Sequence, residues 1–261
     1  MEWWGNSALL VSGYDSDAQA YITAVEAADG QALEVAVKDA INAFVVGCKA
    51  DNIWTAIKAC CILAGARTLA GALVPLVGPA PTNFNFTGAR YNRKTGLLGD
   101  GATTYLLSNY QNTTDPQNDK HVAVWQTEHF ARNATRAVIG TSGVAGSSVL
   151  VATTGLRFFR ANHGGTASDS SISDTTTVTG LWGASRNNAT SLTGRYNSTN
   201  YTLNIASAAP EAGNMFVFSR GINSEISNGR ISFYSIGRHL DLSVLDARIA
   251  GLMNALAAAI P

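Results

Sequence analysis

HVAVWQTEHFARNATRAVIGTSGVAGSSVLVATTGLRFFRAN, residues 121–162, is the stretch that decides the fold. It holds four short runs, HVAVWQT, RAVIGT, SVLVATT and LRFFRAN, each rich in β-branched or aromatic residues and set off by Gly, Asn, Ser or Thr. Runs of that length, separated by turn chemistry, read as strands. The same grammar continues outward through TTYLLSN (103–109), TVTGLWGAS (177–185), SLTGRYN (191–197), YTLNIAS (201–207), NMFVFSR (214–220) and RISFYSIG (230–237). Short strands spaced by roughly ten residues predict a mainly-β chain, an antiparallel β-sandwich or jelly roll over residues 101–240.

Both ends of the chain change period. Tyr21, Ile22, Val25 and Ala28 repeat at helical spacing behind a capping Asp15 or Asp17, and Asp29-Gly30 breaks that helix. Leu33, Val37, Ile41, Phe44, Val45 and Cys48 form one apolar stripe, so a second helix completes an N-terminal helical hairpin. Ile53, Trp54, Ile57, Cys61 and Leu63, behind a capping Asn52, predict a third helical segment that ends at Gly65. Residues 1–66 are thus expected as a helical module, and 67–100, with LVGPAPTNFNF, as an irregular crossing holding one short strand. From Asp241 or Ser243, Leu245, Ile249, Leu252, Leu256 and Ile260 mark a C-terminal helix over 241–261, packed on the sandwich.

Composition removes several function classes. Charged residues make up 14% of the 261, with 18 basic against 18 acidic. Nothing there supplies the basic footprint of a nucleic-acid binder or a polybasic membrane contact. The opening MEWWGNSALLVSG lacks a basic segment ahead of an apolar one, so no secretory signal is expected. The apolar stretch at 59–78 is broken by Arg67, glycines and Pro75, so no membrane insertion is expected either. Cys48, Cys60 and Cys61 fall in segments read as helical and are expected as buried free thiols, which suits assembly in a host cytoplasm. Six Asn-x-Ser/Thr triplets, at Asn85, Asn112, Asn133, Asn188, Asn197 and Asn200, arise by chance in so Asn- and Thr-rich a chain.

Catalytic patterns are sparse. His121, His129, His163 and His239 show no metal-binding spacing, and GLLGDGATTY lacks the lysine of a phosphate loop. The carboxylates of the β-region, Asp100, Asp115, Asp119, Glu128, Asp169, Asp174, Glu211 and Glu225, form no pair facing across one strand. DPQND (115–119) groups oxygen ligands that would suit calcium, but reads first as a turn begun by proline. No cofactor is expected. Aromatic and amide side chains are the remaining resource, since sugars dock C–H faces on rings while amides bond hydroxyls. Trp182, Arg186, Asn188, Arg195, Tyr196 and Tyr201, close together in sequence, form the candidate glycan-binding set, beside Asn187 and Asn197.

Three segments, DAQAYI (17–22), AINAFV (40–45) and NIWTAI (52–57), together with GLLGDGATTYLLSN (96–109) and ISFYSIGRHLDLSVLDARIAGLMNALAAAI (231–260), resemble a family of structural proteins of tailed bacteriophages. In that family two helices and an Ile-Trp segment precede a concanavalin A-like (laminin-G-like) jelly roll. The chain departs from it at Cys60-Cys61-Ile62-Leu63, where the family carries a Tyr-Pro pair. The resemblance implies a non-enzymatic virion component on tail or head, and a fibre-like homo-oligomer, a trimer by preference. Its partners would be other virion proteins and a host-surface glycan. A cement or decoration protein without ligand, and a polysaccharide depolymerase, are the alternatives.

Overall fold

The computed structural model describes residues 13–131, 134–141, 146–151, 155–163, 171–173 and 178–261. The opening segment through residue 12, Asn133, Asp169 and Asp174 lie outside the described residues.

Helices α1 (Ser16–Asp29) and α2 (Val35–Ala50) lead into β1 (Ile57–Ile62) and a short α3 (Leu69–Ala72). Then come β2 (Thr82–Phe84), β3 (Tyr91–Asn92), β4 (Gly96–Leu98), β5 (Tyr105–Gln111), β6 (Lys120–Glu128) and β7 (Arg136–Gly140). The chain continues through β8 (Ser148–Val151), β9 (Leu156–Arg160), β10 (Ser171–Ser173), β11 (Gly180–Arg186), β12 (Leu192–Tyr196) and β13 (Thr199–Leu203). It closes with β14 (Asn214–Val217), β15 (Arg230–Gly237) and α4 (Leu242–Ala259).

Two antiparallel sheets face each other. Among the described residues, sheet A runs β13-β12-β11-β6-β15-β4-β3, with β1 also on β15, and sheet B runs β10-β9-β8-β7-β14-β5-β2. The expected sandwich is therefore present, with helices from both ends of the chain packed on it.

The third helix is not. Residues 57–62 are a strand paired with β15, Ile62 opposite Phe233 and Cys61 opposite Tyr234. Asn52 does not cap a new helix but terminates α2. Its φ is 59°, the Asn52 N–H donates to Lys49 O (3.0 Å) and the Ile53 N–H to Cys48 O (3.0 Å). That pair of bonds, wrapped around a left-handed residue, is a Schellman ending. One turn of 3-10 helix, Trp54–Ala56, then delivers the chain to the sheet. The crossing at 67–100 also holds more order than expected, since β2 joins sheet B while β3 and β4 join sheet A.

β15 organises sheet A. One of its edges pairs with β6; the other is shared end to end, with Arg230 and Ile231 opposite β4 and Phe233 to Gly237 opposite β1. At the β4 contact a Cβ on Gly96 (φ +91°) would lie 2.2 Å from Ile231 O, so only glycine fits there.

The central strands of sheet A are buried on both faces. Along β1, Cys60 and Ile62 point into the helical layer while Ala59 and Cys61 point into the sandwich. Ala123, Leu181 and Phe233 likewise meet Phe44, Leu245, Ile249 and Leu252, while Val122, Val124, Trp182 and Tyr234 line the sandwich interior. A strand apolar on both faces loses its period-two signature, which is why KACCIL mimics a helix. All three cysteines are buried free thiols, and burial pushes Cys48 and Cys61 up to about 12, which leaves them protonated and inert.

Polar anchors hold the layers together. Asp15 caps α1 by accepting from Asp17 N (3.0 Å) and also pairs with Lys49 of α2 (2.6 Å). Asp241 caps α4 by accepting from Ser243 N (2.7 Å), and Arg248 clamps Asp51 with two bonds of 2.6 and 2.9 Å. By length and composition α4 is apolar enough to cross a membrane, yet its Leu245, Ile249, Leu252 and Leu256 stripe is buried on the protein.

Phe233 stands where the helical layer meets the sheet, fully buried and edge-on to Phe44 at 5.5 Å. Phe233→Ala is expected to cost about 3–5 kcal/mol, measured by urea unfolding.

Candidate functional site: an aromatic groove on sheet B

The candidate set between residues 182 and 201 does not form one surface. Trp182 is fully buried on the inner face of β11, and its ring meets that of Tyr196 edge-on at 5.2 Å. The Arg157 guanidinium lies 3.8 Å from the first ring and 3.5 Å from the second, a desolvated cation–π stack inside the sandwich. Arg186, also buried, donates to Ala161 O (2.7 Å), Asn188 O (3.1 Å) and Ser191 O (3.0 Å), so it ties the 187–191 turn to the end of β9. Arg195 faces the other way, to Asp246 of α4 (2.6 Å) and Asn200 Oδ1 (2.8 Å). Asn188 is exposed but accepts from Thr190 N (2.9 Å) and Ser191 N (2.8 Å) to shape its own turn, and Tyr201 is half-buried against the core. The period of two explains the split, since Arg195 and Tyr196 are neighbours in sequence and occupy opposite faces.

The catalytic and metal candidates are likewise built into the frame. Both oxygens of Asp115 are engaged, one by Tyr110 OH (2.7 Å) and one by Lys120 Nζ (2.8 Å), in a buried triad closed by the lysine over the tyrosine ring. Asp119 accepts from His239 N (2.6 Å), and Asp100 binds Ala102 N, Thr103 N and Thr104 N of its own turn. His121 lies fully buried between Arg238 O and Ser235 Oγ, and burial pulls it down to about 4, so it is neutral at physiological pH. His163 is buried at an isolated bridge to Ser207. Among the described residues no three His, Cys, Asp or Glu side chains are placed to hold a metal.

Elsewhere the structure assembles a site that the sequence reading missed. On sheet B the strands β14, β5 and β2 lie side by side, with Phe216 opposite Leu107 and Tyr105 opposite Phe84. Their outward phase carries rings. Phe84 and Tyr105 stack at 4.5 Å and 16°, and Phe216 follows at 5.7 Å from Tyr105. Leu107 extends this floor, Asn214 and Gly213 close one end, and Gly221, Ile222 and Ser224 supply a wall, enclosing about 490 Å³. Among the described residues no helix covers this face, and Ile222 is 71% exposed, an unusual setting for a large apolar side chain.

The wall is rigid by construction. Phe218, Asn223 and Glu225 all have positive φ (68°, 53° and 53°). For a bulky residue such as Phe218 that conformation costs on the order of 1–3 kcal/mol. Full burial against Phe86 at 4.8 Å and backbone bonds to Val138 O (2.8 Å) and from Ser227 N (2.7 Å) hold it in place. Within the loop Ser219 Oγ accepts from Gly221 N (3.1 Å) and lies 2.7 Å from Ser224 O, while Arg220 pairs with Glu225. The tip carrying Ile222 is therefore held in position over the rings.

A signal for the groove was present in NFNF (83–86) and NMFVF (214–218). Met215 and Val217 already fill the inward phase of β14, which leaves Phe216 facing out.

No protein-family profile matches this chain, and no curated protein is similar to it at a significant level. Solved structures similar to it include the CBM40 of Ruminococcus gnavus IT-sialidase bound to α2,3 sialyllactose, at 12% identity and TM-score 0.36 over 50% of this chain and 82% of that one. Trypanosoma rangeli sialidase in complex with 2,3-difluoro-KDN follows at 8% identity and TM-score 0.42, over 75% of this chain and 33% of that one. The binding domain of botulinum neurotoxin DC in complex with rat synaptotagmin II is similar at 14% identity and TM-score 0.41, over 61% and 42%. Identities this low are silent on ligand and activity, and the sandwich itself is established by the strand pairing.

The Asp115 triad gives a direct check on the calcium reading. Asp115→Asn strands the Lys120 charge in the interior and is expected to destabilise the protein by about 3–5 kcal/mol. Added calcium is expected to leave the thermal midpoint of the unmodified protein unchanged, and differential scanning calorimetry reads both.

Proposed function

We propose that this protein is a non-enzymatic attachment module of a bacteriophage particle, holding host-surface carbohydrate in the aromatic groove of sheet B. The observation that carries this reading is the pair of partly exposed rings, Phe84 and Phe216, packed about the buried Tyr105 beneath the wall that bears Ile222. Ring faces are electron-rich and attract the polarised C–H groups of a pyranose, while neighbouring amides and hydroxyls bond its oxygens. Asn214, Gln111 and Ser224 stand ready for the second task, and Gln111 Nε2 already donates to Asn214 Oδ1 (3.0 Å). About 490 Å³, mostly apolar with a few polar groups, falls within the size range of small-ligand sites.

Placement on a virion, on tail or head, rests on the resemblance of the helical segments and the chain ends to structural proteins of tailed phages. Low charge supports a surface shared among copies, because like charges meeting across a symmetric interface repel. A homo-oligomer follows, a trimer by preference. The exposed Ile222 favours one second reading, a cement protein whose groove is filled by another virion protein.

Glycan arrays probed with the assembled protein separate these readings. Binding of host-surface glycans, weakened about tenfold or more by Phe216→Ala, is the expected result. An array without any binding favours cement, and release of reducing ends from host polysaccharide would point to a depolymerase. Light scattering is expected to find an oligomer, and a strict monomer at high concentration contradicts the virion reading.

A further inference from the structure

We propose that the groove selects neutral saccharides and rejects chains whose contacting sugar carries a carboxylate, such as sialic or uronic acids. This rests on the carbohydrate reading above and names the ligand class of the same site.

Charge is the deciding property. None of the side chains that line the groove is ionisable at neutral pH; Phe84, Leu107, Phe216 and Ile222 are apolar, and Asn214 and Ser224 are neutral donors and acceptors. Cations of the neighbouring elements are engaged in the fold. Arg220, within the wall loop, pairs with Glu225 of the same loop, and Arg160, buried over the Phe158 ring, lies behind that pair. Arg136, on the strand next to β14, donates Nη1 to Gly101 O (2.8 Å) and to Ile226 O (2.7 Å). A carboxylate lowered onto the rings would lose water and meet no guanidinium, and burying an unpaired charge is among the costliest steps in recognition. Ring faces add to the penalty, because their negative quadrupole repels an anion as it attracts C–H groups.

The polar complement suits hydroxyls instead. Asn214 accepts from Gln111 with its carbonyl oxygen, which leaves its amide N–H groups as donors, and Ser224 can donate or accept. Phe84, half-buried and backed by the stacked ring of Tyr105 at 4.5 Å, is the platform against which a pyranose can pack. The wall adds Ile222 above that platform, so a sugar ring would be gripped on two sides without any ionic contact.

The test compares matched oligosaccharides, one core with and without a terminal sialic acid, by isothermal titration calorimetry on the full chain. The neutral core is expected to bind and the acidic form to bind about tenfold more weakly or worse. Its Kd should stay within about twofold between ~50 and ~500 mM sodium chloride, because no ion pair is there to be screened. Ile222→Ala, at an exposed position, is expected to weaken binding about fivefold with the thermal midpoint unchanged, so loss of affinity cannot be attributed to misfolding. Asn214→Arg is expected to narrow the gap between the two forms by supplying the missing cation. Equal or tighter binding of the acidic form, or a Kd that climbs steeply with salt, overturns the neutral-ligand inference and leaves the carbohydrate reading standing. Failure of every sugar to bind, neutral or acidic, overturns both.

Discussion

The rest of the structure depends on one constraint, that sheet A must be covered on both faces. Its central strands carry apolar side chains in both phases, with Phe233, Leu181 and Cys60 on one side and Tyr234, Trp182 and Cys61 on the other. Sheet B supplies one cover, and α1, α2 and α4 supply the second. Helices α1, α2 and α4 are thereby drawn onto the same face, and β1 stitches the first two into the sheet through its pairing with β15. Removal of the helical layer would expose that face to water, where contiguous apolar surface drives association.

Sheet B is covered less evenly: on its outward face Ala137 and Phe158 are buried in a small cluster of their own, while the β14-β5-β2 end carries partly exposed side chains. Phe84 and Phe216 are only partly buried there, on either side of a Tyr105 ring that is itself buried. They occupy a phase that water-facing strands usually fill with polar groups. A strained loop is fixed beside them, and sparsely populated backbone conformations of this kind persist where the surrounding structure over-determines them. The two sheets divide the labour, one covered on both faces through its central strands and one left partly open at its β14-β5-β2 end, and that asymmetry places the candidate site.

Much of the architecture was legible in the residues. Turn chemistry at 187–191 marked the boundary between β11 and β12, Asp15 and Asp241 cap the helices that their positions suggested, and the helical stripe of α2 holds from Val37 to Cys48. What misled was loss of period. In KACCIL both phases are apolar, so Ile57 and Cys61, four apart, imitated a helical face. The glycan set is split between faces for a related reason. Trp182, Arg195 and Tyr196 are close in sequence, but the pleat sends Arg195 toward α4 and the two rings into the sandwich. The groove escaped because its parts come from residues 84, 105, 216 and 222, which only the strand order β14-β5-β2 brings together. Periodicity reports which face a residue takes; it does not report which strand lies beside it.

Hydrogen–deuterium exchange with and without a neutral oligosaccharide tests the division between the two sheets most directly. The account predicts slowed exchange confined to residues 82–86, 105–111 and 214–226, the three strands and the loop that build the groove, with sheet A and the helices unchanged. Protection centred on residues 186–201 or on α2 and α4 instead would place the working surface on the sheet that this account regards as sealed.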